Sequence, residues 1–459
     1  MAEDAIKQLK ESLSKTTTSS WAHASHESVE AVAHDYMAFL AQAKTERVAS
    51  REIVKRLEAA GFSNLKDAEA LAAGDRVYVH YREKAVLGFI VGTSAQNLRI
   101  IGSHLDSPRL DLKTNPVIEN QGIALLKTHY YGGVKKYQWT NVDLALYGVI
   151  HTKDGAKHEF SLGEAPEEPR FFVSDLLPHL AQKQMEKNGR ELVEAEQLAV
   201  YAASIPHPLE GDDASTKLAL LKHLNEAYGL VEDDFGYAEL TLVPAGVPSE
   251  IGFDRSLIAG YGHDDKVCAY TSLRALIETN KPAQSAAALW IDKEEIGSDG
   301  DTGAQSYALA RMLEDIYAKI GTHDVMRILH DAQALSADVT AAIDPNFPDV
   351  HDAHSAPRIG RGIVIEKYTG AGGKYSANDA SAEYLNEIRQ LLKDVPHQTS
   401  GGLGKVDLGG GGTIAKYLSR YGVRTVDAGP AVLGMHAPRE IVSKVDVHET
   451  YRAYKAFWK

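Results

Sequence analysis

Five short segments of the chain each place histidine or carboxylate side chains directly after an apolar, strand-like run. They are SHLDS at 103–107, GHDDK at 262–266, WIDKEEIGS at 290–298, LSADV at 335–339 and LGMHAP at 433–438. Taken singly, most of them are typical of ordinary strand ends, and GHDDK favours an aspartate that caps a helix. The adjacent Glu294 and Glu295 are more informative. After the apolar run AAALWI they repel each other and lose hydration, so their placement indicates a nearby cation.

Taken together, the segments match the needs of hydrolysis at two bridged divalent metal ions. Each zinc ion takes an imidazole and carboxylate oxygens, one carboxylate bridges both ions, and a free carboxylate acts as the base. Two divalent ions carry more charge than three carboxylates neutralise, so the centre would still acidify water and polarise a carbonyl. His104 and His436 supply one histidine per ion, and Asp264 supplies the bridge. Asp338 and Glu295 supply one further carboxylate per ion, and Glu294 is left as the base.

The elements that must position these side chains are helices and short strands. Apolar residues at helical spacing predict one helix over 29–40 and a second that passes through Ile53 and stops at Gly61. Runs rich in valine and isoleucine predict strands at 75–81, 85–92 and 98–106. The last of these strands carries His104 near its end. In α/β proteins, chemistry gathers at the carboxyl ends of strands.

The composition and the pattern of apolar residues change in the middle of the chain. Residues 110–250 contain β-like runs and a stretch rich in proline and glutamate, after which strands and helices alternate again. This pattern predicts an α/β fold with a doubly wound, mostly parallel sheet built from residues 1–109 and 251–459. The segment 110–250 is predicted to form an inserted β-rich domain.

Composition limits the partners that the protein is expected to bind and the cellular compartment in which it is expected to work. With 44% hydrophobic residues among 459, the chain can bury a core, and its net charge of −14 argues against binding nucleic acid, which requires cations to neutralise phosphates. The single cysteine, Cys268, excludes an internal disulfide and fits a reducing compartment. The charged residues 1–15 do not resemble a signal peptide, and no run approaches the ~20 apolar residues of a membrane span. We therefore expect a cytoplasmic protein without membrane contact.

The ordered motifs HLDS, GHDD, KEEIGS, SAD and GMHxxRE resemble those of the M18 metallopeptidases, the aspartyl aminopeptidase and vacuolar aminopeptidase I group. The resemblance extends almost end to end and includes YGG at 131–133 and TGAQS at 302–306. It implies a zinc-exopeptidase-like fold, two divalent metal ions with zinc ahead of cobalt or manganese, and Glu294 as general base. Asp106 would orient the imidazole of His104. The implied ligands are His104, Asp264, Glu295, Asp338 and His436.

The resemblance also bears on substrate contacts. Lys374, in GGKYS, matches a substrate-contacting lysine of the family, although an ordinary surface lysine is an equal alternative. Aspartyl aminopeptidases carry PHLAxH in the inserted domain, whose second histidine reaches the active site of a neighbouring subunit. Here the motif reads PHLAQK, with His179 first and Lys183 in the second place. Lys183 would then donate a hydrogen bond to an oxyanion, and the preferred N-terminal side chain stays open.

By this resemblance the chain is expected to be an aminopeptidase that assembles into a tetrahedral homododecamer and cuts peptides with a free N-terminus. A metal-bridging water would lose its proton to Glu294 and attack the first peptide carbonyl, and Glu294 would then protonate the leaving amine. Two alternatives stay open: a dinuclear carboxypeptidase or amide deacylase, and a shell protein without activity. The repulsive pair of Glu294 and Glu295 argues against the second alternative.

Overall fold

The protein is described from a computed structural model, which covers residues 18–207, 215–322 and 324–459 together with Ile6, Leu9 and Leu13. Most of the charged opening stretch therefore lies outside the described residues. Among the described helices, none is both long enough and apolar enough to cross a membrane.

Helices and strands alternate through most of the chain. The helices are α1 (His26–Gln42), α2 (Glu46–Ala59), α3 (Gln182–Met185), α4 (Thr216–Tyr228), α5 (His263–Ile277), α6 (Ala308–Ile320), α7 (Val325–Asp331), α8 (Ala382–Leu391), α9 (Ala415–Ser419) and α10 (Lys444–Phe457). The strands are β1 (Ser63–Asn64), β2 (Arg76–Tyr81), β3 (Ala85–Ile90), β4 (Ser94–His104), β5 (Arg109–Asn120), β6 (Ile123–Tyr131), β7 (Leu144–His151), β8 (Lys157–Leu162), β9 (Ala199–Ala203), β10 (Ala238–Pro244), β11 (Ser249–Ile251), β12 (Leu257–Gly260), β13 (Gln284–Ile291), β14 (Gln333–Ser336), β15 (Thr340–Ala341), β16 (Ile363–Glu366), β17 (Gly370–Ala371), β18 (His397–Ser400), β19 (Gly410–Gly411), β20 (Arg424–Gly429), β21 (Ala431–Leu433) and β22 (Glu440–Ser443).

The two predicted N-terminal helices are present. In α1 the Ser25 hydroxyl accepts the N–H of Ser28, and the buried side chains recur at helical spacing from Val29 to Leu40. The second helix, α2, ends at Ala59, two residues before the predicted stop at Gly61. Helix ends fray over one or two residues, so this difference is small.

The largest sheet has nine strands in the order β1-β2-β3-β13-β4-β14-β20-β16-β18. Its centre, β13-β4-β14-β20, is parallel, whereas β3 and β16 run antiparallel to the neighbours on their inner side. Successive residues of β13 point into two different cores, with Trp290 on the side of α5 and Leu289 on the side of α6. The sheet is therefore covered by helices on both faces, and the predicted α/β class is confirmed.

A separate six-stranded sheet, in the order β8-β7-β10-β5-β6-β9, is antiparallel throughout. Its strands lie between Arg109 and Pro244, within or at the edge of the segment that the sequence predicts as an insertion. A core of its own includes Leu110, Trp139 and Leu242. This sheet contributes Tyr131 and the following glycines to the edge of the candidate site.

A five-stranded sheet, β11-β12-β22-β21-β15, is not predicted as a sheet by the sequence, although β12 and β21 are the strand-like runs before GHDDK and LGMHAP. Its strands are only two to four residues long, and they pair residues far apart in the chain, such as Leu257 with Ser443. Local periodicity does not reveal which of these short strands pair with one another. The sheet is nevertheless important for the site because Gly260 precedes α5 and because β21 and β22 enclose His436.

Candidate metal centre

Three of the predicted site segments follow neighbouring parallel strands. His104 is the last residue of β4 and pairs with Ile291, the last residue of β13. Glu294 and Glu295 begin a 3₁₀ turn just after β13, and Asp338 lies two residues beyond β14. Because parallel strands end at the same edge of the sheet, these side chains meet there, as the strand pattern predicts.

The remaining two donors come from the five-stranded sheet. Asp264 stands at the start of α5, after β12, and His436 lies in the loop between β21 and β22. Asp264 Oδ1 is 3.1 Å from His104 Nε2, and Asp264 Oδ2 is 3.2 Å from His436 Nε2. Each oxygen of one carboxylate therefore faces a different histidine, which is the arrangement of a bridging ligand.

Each histidine also has a second carboxylate nearby. Asp338 Oδ1 lies 3.9 Å from His104 Nε2, and Glu295 Oε2 lies 3.3 Å from His436 Nε2. The ligand atoms of Glu294 cluster with those of His104 and Asp338 within 4.8 Å of one another. The structure thus brings together all six side chains that the sequence selected for metal binding and base catalysis.

The donor atoms fit divalent metal ions. Asp264 Oδ1 and Glu295 Oε1 are buried and accept no hydrogen bond within the described structure, although Asp264 Oδ1 is close to an imidazole nitrogen. Buried carboxylate oxygens without donors are costly, and lone pairs that converge on one point are what a cation requires. Two imidazoles with several carboxylates form a donor set that suits zinc.

Asp106 holds one side of the centre in place. His104 Nδ1 donates to Asp106, 3.2 Å from Oδ1 and 3.0 Å from the backbone oxygen, which leaves Nε2 free for a metal. The backbone N–H groups of Glu294 and Glu295 also donate to this carboxylate, at 3.1 and 3.0 Å, and the Tyr131 hydroxyl donates at 2.9 Å. Burial opposes ionisation, but the hydrogen bonds from His104 and Tyr131 lower the pKa of Asp106 to about 2.

Two contacts on the other side were not foreseen from the sequence. His436 Nδ1 donates to the carbonyl of Gly133, at 2.8 Å, which explains why the YGG segment belongs to the site. The buried carboxylate of Glu440 accepts the backbone N–H groups of His436, at 2.7 Å, and of Asp264, at 3.0 Å. Glu440 is the last residue of the GMHxxRE motif, so the sequence did single it out. Its hydrogen bonds with backbone N–H groups cannot be predicted from residue type.

The pKa shifts in this cluster are those expected of side chains that bind cations. Burial raises the pKa of Glu294 to about 7, against the opposing charge of His104 and with the charges of Asp106 and Asp264 adding to the rise. Burial alone would lower the pKa of His436, but the hydrogen bond with Asp264 and the charge of Glu295 raise it to about 10. A bound cation favours ionised carboxylates and neutral imidazoles, so it would reverse these shifts.

A cavity of about 320 Å³ opens onto the centre. Its lining includes Asp264, Glu294, Glu295, Asp338 and His436, and beyond them it is formed by Val339, Glu366, Thr369, Thr413, Lys416 and Tyr417, among others. A larger cavity of about 840 Å³ lies between α8 and β18 and contains none of the candidate ligands. The chemistry therefore belongs to the smaller cavity.

The three predicted substrate contacts lie outside this lining. Lys374 Nζ is 2.9 Å from Asp379 Oδ2 and 4.1 Å from the centre of the Tyr368 ring, and its side chain is 43% exposed. His179 is exposed before α3, and Lys183 is exposed within α3. Both lie in the region of the antiparallel sheet. Roles for these residues stay predictions.

Comparisons with known proteins place this chain beside one family. Residues 39–458 match the family described as Aminopeptidase I zinc metalloprotease (M18). The chain is similar to the "Probable M18 family aminopeptidase 1" of Thermotoga neapolitana, with 46% identity over 445 residues that cover 95% of this chain and 97% of the relative. The crystal structure of an M18 aminopeptidase from Thermotoga maritima is 44% identical, with a TM-score of 0.93 and coverage of 97% and 99%.

A more distant solved structure, a dodecamer of mApe1 from S. cerevisiae, has a TM-score of 0.74 at 20% identity, with coverage of 93% of this chain and 96% of that one. At this identity the likeness concerns the fold.

Proposed function

Because this chain belongs to the M18 family of aminopeptidase I zinc metalloproteases, we propose that it is a dinuclear zinc aminopeptidase that removes single residues from the N-termini of peptides. The observation that carries the proposal is the placement of Asp264, whose two oxygens lie 3.1 and 3.2 Å from two different histidines. Similar proteins that are named as probable aminopeptidases support the reaction class.

In this proposal His104, Asp264 and Asp338 would hold one ion, and His436, Asp264 and Glu295 would hold the other. Bound zinc would supply Lewis acidity, which makes a water molecule more acidic and a peptide carbonyl more electrophilic. Cobalt or manganese would serve the same donor set.

Glu294 is assigned as the general base. Its backbone N–H is fixed by Asp106, while its side chain shares a cluster with His104 and Asp338. Its carboxylate accepts a proton from the attacking water and then donates that proton to the leaving amine.

A requirement for a free α-amino group separates this function from the alternatives that use the same ions. Carboxypeptidases recognise the other end of the peptide, and amide deacylases accept a blocked nitrogen. The cavity of about 320 Å³ admits one terminal residue and its flanking peptide rather than a folded chain.

The proposal also includes the assembly of several copies of this chain. We assign residues 110–250 to an inserted domain that mediates formation of a homododecamer; the distant mApe1 structure is a dodecamer. Support comes from the separate sheet and core of this segment and from its exposed apolar side chains, Leu176, Leu177, Leu180 and Met185.

The test of the proposed function compares a leucyl anilide with its acetylated form. We expect hydrolysis of the unblocked substrate only, loss of activity with a chelator, and recovery on readdition of zinc. Equal hydrolysis of the acetylated substrate would assign the protein to the deacylases, and full activity after verified metal removal would reject a metal mechanism.

A further inference from the structure

The buried carboxyl side chain of Glu366 forms part of the wall of the same cavity, and that of Asp427 is its neighbour in the sheet. Glu366, the last residue of β16, pairs across the sheet with Asp427 on β20 and with Ser400 on β18. Glu366 is 5% exposed and Asp427 is 2% exposed. Glu366 lines the cavity beside Asp338 and Glu294, so the wall and the metal centre share one space.

The partners of these carboxyl groups are hydroxyls. Thr340 Oγ1 donates to Glu366 Oε1 at 2.7 Å, and Thr413 Oγ1 donates to Asp427 Oδ1 at 2.6 Å. Within the described structure, no lysine, arginine or histidine lies within ion-pair distance of either carboxyl group. Asp427 Oδ2 accepts no hydrogen bond from a described residue. The pair thus lacks the cation that buried acids usually require.

Thr369 provides an independent sign of a ligand. Its side chain is 4% exposed and lines the cavity, and its Oγ1 has no hydrogen-bond partner within the described structure. Buried hydroxyl oxygens are normally paired, so an unpaired one at a cavity wall indicates a group that enters from the cavity. Burial also raises the pKa of Glu366 to about 8 and that of Asp427 to about 6, as expected for acids without a cationic neighbour.

We propose that Glu366 recognises a cationic side chain on the N-terminal residue of the substrate, so that the enzyme prefers peptides that begin with lysine or arginine. This inference rests on the proposed aminopeptidase function. A lysine ammonium offers three donors, which matches the acceptors of Glu366 and Thr369 at the wall. Entry of the ammonium allows Glu366 to ionise and form a charge-assisted hydrogen bond. An acidic side chain would meet the carboxyl group of Glu366 instead.

Lys416 argues for the opposite preference and must be included in the test. It is the one lysine or arginine in the described lining of the cavity, and its Nζ lies 4.8 Å from the centre of the Tyr417 ring. An acidic terminal side chain would pair with it. Lys416 is half-buried and follows the glycine-rich loop, whereas Glu366 and Thr369 are deeply buried, so the wall residues should discriminate more strongly.

The experiment compares kcat/KM for lysyl, norleucyl and glutamyl anilides, because norleucine has the straight chain of lysine without its charge. We expect lysyl to exceed norleucyl by about 10- to 100-fold, the usual value of a hydrogen bond to a charged group. In Glu366→Gln this ratio should fall close to one, because lysyl hydrolysis loses more than norleucyl hydrolysis. In Thr369→Val the ratio should fall about fivefold.

The matched control is Glu383→Gln, which makes the same change at an exposed position of α8 and should leave the ratio unchanged. A wild-type enzyme that cleaves norleucyl or glutamyl at least as well as lysyl overturns the inference and leaves the aminopeptidase function intact. Equal losses for lysyl and norleucyl in Glu366→Gln overturn it as well, because they show a structural role. Failure to cleave any unblocked anilide rejects the proposed function itself.

Discussion

Glu294 and Glu295 are adjacent in the sequence, but they have different neighbours in the site. Glu295 Oε2 lies 3.3 Å from His436 and clusters with His104 and Asp264, whereas Glu294 clusters with His104 and Asp338. The 3₁₀ turn that begins at Glu294 makes this possible because successive side chains leave it in different directions. The pair can therefore divide metal binding and proton transfer between them.

We predict that Glu294→Gln keeps both metal ions but loses activity. The amide preserves size and polarity but cannot accept the proton of the attacking water, so kcat should fall about 10²- to 10⁴-fold with little change in KM. Glu295→Gln should instead lower metal content first and activity as a consequence. Metal analysis and steady-state kinetics on both variants provide the test, and an active Glu294→Gln enzyme would reverse or remove the assignment.

Metal binding should release protons. At neutral pH, His436 carries a proton because its pKa is raised to about 10, and burial raises the pKa of both Glu295 and Asp338 well above the usual range for carboxyl groups. Ligands bind a metal without these protons, so zinc must displace them, and its apparent affinity should rise with pH. Calorimetry in buffers with different ionisation enthalpies measures this release. Binding heats that do not depend on the buffer would be inconsistent with it.

At the scale of the elements, the sequence predicts which segments follow strands better than it predicts how those strands pair. The apolar runs of β4, β13 and β14 are visible in the sequence, so the positions of His104, Glu295 and Asp338 at one sheet edge could be expected. The five-stranded sheet that carries Asp264 and His436 could not, because its pairing depends on contacts between distant segments.

The same limit applies to individual side chains. Residue type alone does not reveal a role for Glu440 or Glu366. Only the three-dimensional structure shows that Glu440 accepts backbone N–H groups and that Glu366 faces a cavity. The family resemblance supplied the proposed ligands, and the match of residues 39–458 to the M18 family confirmed the family, but neither gave a role to either glutamate. Residue type shows which groups can act, and long-range packing decides which of them do.

Glu440 joins the two short elements that present Asp264 and His436, so its loss should loosen the metal centre. We predict that Glu440→Gln lowers zinc affinity about 10- to 100-fold. Its amide has one acceptor oxygen and would place an NH₂ group against one of the two backbone N–H donors. Competition with a calibrated chelator measures the affinity. A dissociation constant within twofold of the wild type would show that Glu440 does not position the ligands.

At the scale of the whole molecule, the antiparallel sheet region exposes an apolar loop. Leu180 is 69% exposed and Met185 is 72% exposed, on either side of Lys183. Exposed apolar side chains this close together are typical of an interface. We predict a large particle in light scattering and a shift to smaller species in Leu180→Glu, with Glu383→Gln unchanged. A wild-type protein that scatters as a 49.9 kDa monomer would contradict the assembly.

The central claim, two ions bridged by one carboxylate, is tested most directly by metal stoichiometry in Asp264→Ala. Wild-type protein should contain about two zinc ions per chain, because Asp264 faces both histidines. The variant should retain well under one equivalent and have no peptidase activity, while Asp338→Ala, which removes a ligand from one side only, should retain about one ion. Near-full metal content in Asp264→Ala would contradict the bridged centre.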